Sequence, residues 1–496
     1  MPSSPNLLDI ARALDESTLS WPERRAHNSK QFINKLPDEL LGRIFLVTTA
    51  LSIRTRGAYR FTLFPDVAIE VCSQWMRVAL ATPDLWTHLH IREHFDDDDI
   101  ALWVSRAGTK TLLDIEIDIL EPYCGVAFFD ITNWSKQVFH IARIFKFFQS
   151  LKAGPQRWRS LSLSVLQPEP LYKFIQLLNT HPAPNLRYLY LCSEPDWNDD
   201  EFNEDRPLTK AHNGKAYTLS EHAVPNLRHA EFVYVAWKYV LDRPKPLLSG
   251  LTTLQLSAGS WFPQLLLPSI QRLLLANPNL ESLQIGAGSA ADYEFDRLPD
   301  EERPDRVHLS HLRTLSLEGG DSISLVWDII SIINAPSLKS LTLANNGVDE
   351  DDPFVAKIFD YIISGQLPGS KEPAASPDKP PFPLLQELDI DGLFCLSDQS
   401  VAALLSSLPV VTRLAVGVSH AKATLDRMPH ALPQLETLSL GVIHKDGYQE
   451  LEDLLHQRAQ NGRPIRIVEA SAKSHPEPAF QEKFPETLFR VREVAM

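Results

Sequence analysis

From mid-chain to near residue 440 one short phrase keeps returning: an apolar residue, two variable residues, then apolar-x-apolar, usually after Pro or Asn. The clear copies are PNLRYLYL (Leu186, Leu189, Leu191), SGLTTLQL (Leu251, Leu254, Leu256), PNLESLQI (Leu280, Leu283, Ile285) and SHLRTLSL (Leu312, Leu315, Leu317). PSLKSLTL (Leu338, Leu341, Leu343), PLLQELDI (Leu385, Leu388, Ile390) and PQLETLSL (Leu435, Leu438, Leu440) continue the series. Weaker copies are RWRSLSL ending at Leu163, PNLRHAEF ending at Phe232 and VVTRLAV ending at Val416. A single copy means nothing in a Leu-rich chain. Repetition is different, because a short strand with alternate residues turned inward cannot bury that face alone and needs a stacked neighbour.

Segments with apolar residues at helical spacing lie between the copies, among them 171–180, 268–277, 323–334, 352–364, 397–408 and 447–462. Strand then helix per unit is the leucine-rich-repeat pattern. The expected fold class is therefore α/β, with an irregular horseshoe of parallel strands inside and helices outside over residues 93–475. Spacing between copies is uneven and the excess falls in loops. Two of them are acidic, 194–207 and 292–306, and a third, 368–383, is rich in Pro.

Partners are narrowed by charge. The 496-residue chain carries a net charge of −15 without a dense Lys/Arg cluster, which argues against nucleic acid and anionic membranes. Cys72, Cys124, Cys192 and Cys395 form no CxxC pair, so zinc-finger and redox signatures are absent and a reducing compartment is the simplest reading. With no secretory signal and no run of eighteen apolar residues, residence is expected in the cytoplasm or nucleus.

Upstream of the repeats, QFINKLPDELLGRIFLVT sets Leu36, Leu40, Leu41, Ile44 and Phe45 on one helical stripe, with Pro37 in the first turn and Asp38 and Glu39 favoured by the helix dipole. FPDVAIEVCSQWMRVALATPDLW places Val67, Val71, Cys72, Trp75, Val78 and Ala79 on a second stripe that Pro83 stops, after which DLWTHLHI reads as extended. The ordered set LPDELLGRIF, VCSQWMRVALA and PDLW resembles the F-box family, most closely its fungal form, in which a repeat array follows. That resemblance implies a three-helix module over residues 28–92 that docks a Skp-family adaptor and, through it, a cullin scaffold in a multisubunit ubiquitin ligase. Leu36, Pro37, Leu40, Leu41, Ile44, Phe45, Val71, Cys72 and Trp75 would then carry the adaptor contact or its immediate support. The segment between the stripes, with Arg54, Arg56 and Arg60, is longer than the commonest family spacing. Residues 1–27 read as a leader and 476–496 as a tail or cap on the last repeat.

Catalytic patterns are missing: the chain contains no GxSxG, Walker-type loop, GxGxxG or HExxH. His88, His90 and His94 have no acid or thiol at a fixed spacing that would complete a metal site, so no metal or cofactor is expected. Recruitment rather than catalysis follows, with the repeats holding an unknown target protein; a non-catalytic repeat scaffold, or an F-box protein working outside ubiquitination, is the alternative. On the concave face most repeat residues are small and neutral. Glu387, Asp389 and Asp391 differ, because three carboxylates on one strand repel unless a cation lies across them; helped by Glu318, this rung is the expected seat for a Lys/Arg-bearing target segment.

Overall fold

In the computed structural model the described residues are 20–54, 64–92, 95–119, 134–166, 168–193, 222–235, 248–257, 267–286, 303–320, 323–345, 353–367, 380–390, 398–417, 431–441, 447–471 and 478–492, with single positions 219, 425 and 428. Contacts divide the chain into two compact units, Met1–Glu116 with Phe147–Trp158, and Ile117–Lys146 with Arg159–Met496.

The first unit opens with α1 (Trp21–Lys30), whose first turn is closed by Ser20 donating its backbone N–H to Glu23 Oε2 at 2.8 Å. That helix overlaps the stretch 1–27 read as a leader. A 3₁₀ turn at Phe32–Lys35 leads to α2 (Asp38–Arg54), and α3 (Phe64–Val71) and α4 (Ser73–Leu80) pack on it. The second stripe is thus two helices rather than one. Cys72 between them is extended, with φ −163° and ψ 167°. Apolar residues keep helical spacing across the break, so periodicity gave no warning of it. PDLW likewise forms a 3₁₀ turn, Pro83–Trp86, and the strand β1 starts only at His88 (His88–Arg92).

This unit runs past residue 92 for a physical reason. In α5 (Asp97–Ala107) Trp103 packs edge-on against Trp86 at 5.1 Å, and the Arg106 guanidinium lies 4.2 Å over the Trp86 ring. Asp96 caps the helix by accepting from the Asp98 N–H at 2.8 Å, as its acidic run predicts. Arg157 then ties in the 147–158 segment by donating to the carbonyls of Gly108 (2.5 Å) and Thr111 (3.0 Å). β1 neighbours β2 (Leu113–Ile119), which alternates buried and half-buried positions along its length.

The second unit is a stack of strands hydrogen-bonded in parallel: β3 (Trp158–Val165), β4 (Tyr188–Ser193), β5 (His229–Val233), β6 (Thr253–Ser257), β7 (Ser282–Gly286) and β9 (Thr314–Glu318). β11 (Ser340–Ala344), β12 (Glu387–Ile390), β13 (Arg413–Val416), β14 (Thr437–Leu440), β15 (Ile467–Ala470) and β16 (Leu488–Val491) continue it. Each copy of the recurring phrase, clear or weak, ends in one of these strands. A separate parallel pair joins β8 (Val307–His308) to β10 (Ile333–Asn334).

Register places like on like. Leu161, Leu189, Ala230, Leu254, Leu283, Leu315, Leu341, Leu388, Leu414, Leu438 and Val468 form one inward ladder, each at most 1 % exposed. Before the strands a second device recurs. The N–H of the first phrase residue bonds the carbonyl three positions back, as in Leu186 to Ala183, Leu338 to Ala335 and Leu435 to Leu432, which turns that residue into the core. Asn277, fully buried, replaces the usual apolar residue in one such turn and is satisfied by bonds to Leu248 O, Leu273 O and the Leu251 N–H.

Near the C-terminal end Arg458 on α6 (Gly447–Gln460) is 1 % exposed and donates to the carbonyls of Met428, Ala431, Leu432, Leu435 and Arg463. Burial holds its pKa below the usual arginine value, yet it stays a cation. Beyond β15 the tail packs Phe480 against Tyr448 (5.6 Å), Phe484 (5.5 Å) and Phe489 (5.9 Å), and β16 adds a strand to β15. No described helix is long and apolar enough to cross a membrane.

Leu341→Asp puts an unpaired carboxylate between Leu315 and Leu388, so it should cost about 3–5 kcal/mol and unfold neighbouring repeats. Unchanged denaturant unfolding of that variant would mean the register is wrong. Truncation after Glu477 removes the ring cluster and β16, and should lower the melting temperature; an unshifted melt contradicts a capping role for the tail.

Candidate functional site

On α2 the structure separates two apolar stripes that the sequence merged into one. Leu41 and Phe45 are fully buried, with the Phe45 ring 5.5 Å from Phe64 and 4.8 Å from Trp75. These two residues hold the helices together and offer nothing to a partner. Leu40 (47 % exposed), Ile44 (39 %), Val47 (61 %) and Leu51 (56 %), spaced by four, three and four, run along the outer side. Val47 and Leu51 escaped the sequence reading, although that spacing was a signal able to find them.

Support for this outer stripe is specific. Gly42 sits where a Cβ would come within 3.3 Å of Thr82 Oγ1, so α2 approaches the end of α4 closely. The Arg77 guanidinium clasps the Asp38 carboxylate, one bond spanning 3.1 Å, and joins the start of α2 to α4. The hydrogen bond from Arg77 holds the Asp38 pKa below the ordinary carboxylate value. Trp75 Nε1 donates to Asn34 Oδ1 at 2.7 Å, and Trp86 Nε1 to Ala79 O at 2.9 Å. Of the other residues singled out, Leu36, Cys72 and Trp75 are half-buried, whereas Pro37 and Val71 are exposed. Phe32 (86 %), Val67 (43 %), Met76 (44 %) and Leu80 (42 %) extend the uncovered apolar surface of this unit. Arg56 and Arg60, and the side chain of Arg54, lie outside the described residues.

The sheet of the second unit has one face on the apolar ladders and an open polar face. Tyr188, His229, Thr253, Ser282, Thr314, Ser340, Glu387 and Arg413 line one row of it in register. The acidic rung is less bare than its sequence implies. Glu387 accepts from Ser340 Oγ at 3.0 Å, and Asp389 pairs with Arg492 at 2.9 Å. Asp391 lies outside the described residues. Glu318 is on β9, two strands from β12, where its carboxylate leans over Gly286 and desolvation raises its pKa. Among the described residues it therefore stands apart from the Glu387–Asp389 rung.

His88 and His90 do meet an acid, one that arrives from the neighbouring strand: Glu116 lies 2.9 Å from His88 Nε2 and 3.9 Å from His90 Nε2. His94 is outside the described residues, and among those described no three such side chains are grouped to hold a metal ion.

No family model and no curated protein matches the chain. Among solved structures it resembles the yeast complex of Rad7 and Elc1, at 12 % identity over 96 % of this chain and 97 % of that one, with a TM-score of 0.33. A protein from Bacteroides fragilis is similar at 13 % identity over 68 % of this chain and 66 % of that one, with a TM-score of 0.30. Scores this low carry no function across, so function must be argued from the chain's own residues.

Proposed function

We propose that the chain is a substrate-recognition subunit of a cullin-based, SCF-type ubiquitin ligase. In this reading the helical unit is an F-box module that docks a Skp-family adaptor, and the open sheet face holds the protein to be modified. The observation that carries the reading is the outer stripe Leu40, Ile44, Val47 and Leu51, uncovered on the same helix whose LPDELLGRIF motif resembles the F-box. Four large apolar side chains along one helix are costly to leave in water, and a helix-shaped apolar partner surface relieves that cost.

Pro37 and Val71 belong to the proposed contact; Leu36, Cys72 and Trp75 stand at its margin, and Leu41 and Phe45 keep the stripe rigid from behind. The chain acts by bringing two proteins together, which needs no catalytic group of its own. Target capture falls to the acidic rung of Glu387 and Asp389, with Asp391 in line by sequence, while Glu318, two strands away on β9, adds negative charge to the same sheet; the matching target segment is basic. Cytoplasm or nucleus is the compartment in which such an assembly works.

Because Leu40 and Ile44 are exposed, Leu40→Arg with Ile44→Arg spares the core and should leave melting unchanged. Two charges forced into a desolvated apolar contact cost several kcal/mol, so pull-down of a recombinant Skp-family adaptor should fall by at least about 100-fold in affinity. Undiminished adaptor binding by this folded double variant would falsify the F-box reading.

A further inference from the structure

The acidic rung is occupied from within the chain. Asp389 is in register with Ala415, Ser439 and Glu469 on the next three strands. Glu469 takes a 2.8 Å bond from Arg413. The guanidinium on Asp389 comes from 103 positions away, from Arg492, whose own N–H is fixed to the Ala470 carbonyl at 2.8 Å. Laid flat, β12 and β16 would stand about 19 Å apart at ~4.8 Å per strand, farther than one arginine and one aspartate can bridge. The sheet must curve toward this face, and the Arg492 side chain must reach toward β12 over the strands between, β13, β14 and β15.

Burial along the row agrees with that path. Ser162, Tyr190, Glu231, Gln255, Ser316 and Thr342 occupy the equivalent row on earlier strands and stay half-exposed. Ala415 and Ser439, no larger than these, are 1 % and 0 % exposed. Two arginines reach over this stretch: Arg413, on β13, extends across β14 to Glu469, and Arg492, just past the end of β16, extends to Asp389. In this row the Ser439 hydroxyl is buried with no hydrogen-bond partner among the described residues. The groove is filled but not fully satisfied. Its occupant follows directly on a weak element: among the described residues β16 pairs along one edge only, and Leu488 and Val491 are about half exposed, at 50 % and 49 %.

We propose that the groove of Asp389, Ser439 and Glu469 is an arginine site for an extended basic segment of the target, and that Arg492 is its resident occupant, displaced when the target binds. The inference rests on reading the open sheet face as the target-holding surface. A guanidinium suits the site because its planar fork offers several donors at once, enough for the Asp389 carboxylate and the spare Ser439 oxygen; an ammonium is a single point. Occupation in cis lowers apparent affinity by the fraction of molecules in which the groove is open.

The test is fluorescence anisotropy of a blocked, fluorescein-labelled alternating Arg-Ala peptide, with a Lys-Ala counterpart, titrated with full-length protein at physiological salt. Arg492→Ala should bind the arginine peptide at least about tenfold tighter than the wild type, and adding Asp389→Asn should remove that gain. The lysine peptide should gain less. Equal binding by wild type and Arg492→Ala overturns occupancy in cis, and so does a fall in melting temperature with no tightening, the mark of a purely structural arginine. Equal binding by Arg492→Ala with and without Asp389→Asn overturns the site. Adaptor pull-down on the same proteins separates the two failures: adaptor binding retained while the peptide arms fail rejects this inference alone, whereas adaptor binding lost in the wild type rejects the ligase reading.

Discussion

The in-register apolar ladder is the interaction on which the rest of the second unit depends. Its strands are four to eight residues long, too short to bury a face by themselves, and each gains its core only from the strands on either side. Leu341 has Leu315 on one side and Leu388 on the other, and both neighbours are equally buried. Because a slip of one residue would turn every Leu outward, the ladder also fixes which side chains face the open side. The polar face that carries Glu387, Asp389 and Arg413 is therefore a consequence of core packing before it is a binding surface.

Much of this was written in the sequence because the phrase repeats its chemistry at every rung. Where the chemistry changed, legibility fell. β15 writes the phrase in Ile465, Val468 and Ala470, and β16 keeps only Phe489 and Val491, with Glu486 near the place of the turn residue, so pattern alone left the tail undecided. Cys72 interrupts two helices without interrupting their apolar period. The outer stripe of α2 was half seen, since adjacent Leu40 and Leu41, and Ile44 and Phe45, look equivalent until a neighbouring helix covers one of each pair. Contacts between residues far apart in sequence were invisible: Glu116 beside His88, Arg458 on five carbonyls, and Arg492 on Asp389.

Two surfaces of opposite character emerge, one in each unit. One is apolar, built on a helix whose inner stripe is locked by Phe45, Phe64 and Trp75, so its outer stripe is presented on a rigid support. The other is polar and charged, built on strands whose side chains are aimed by the ladder beneath them. An apolar helical stripe suits a constant partner, since burial is strong and undirected. Charges on an open sheet suit a partner that must be distinguished from others, since misplaced charges are penalised. That division of labour is what a recruiting subunit requires.

Amide hydrogen exchange on the full-length chain, with and without a recombinant Skp-family adaptor, reports whether the helical unit is where the adaptor docks. The adaptor should slow exchange across residues 32–51 and 67–80 and leave the strands of the repeat sheet unchanged. Slowing confined to the sheet, or no slowing at saturating adaptor, would contradict it.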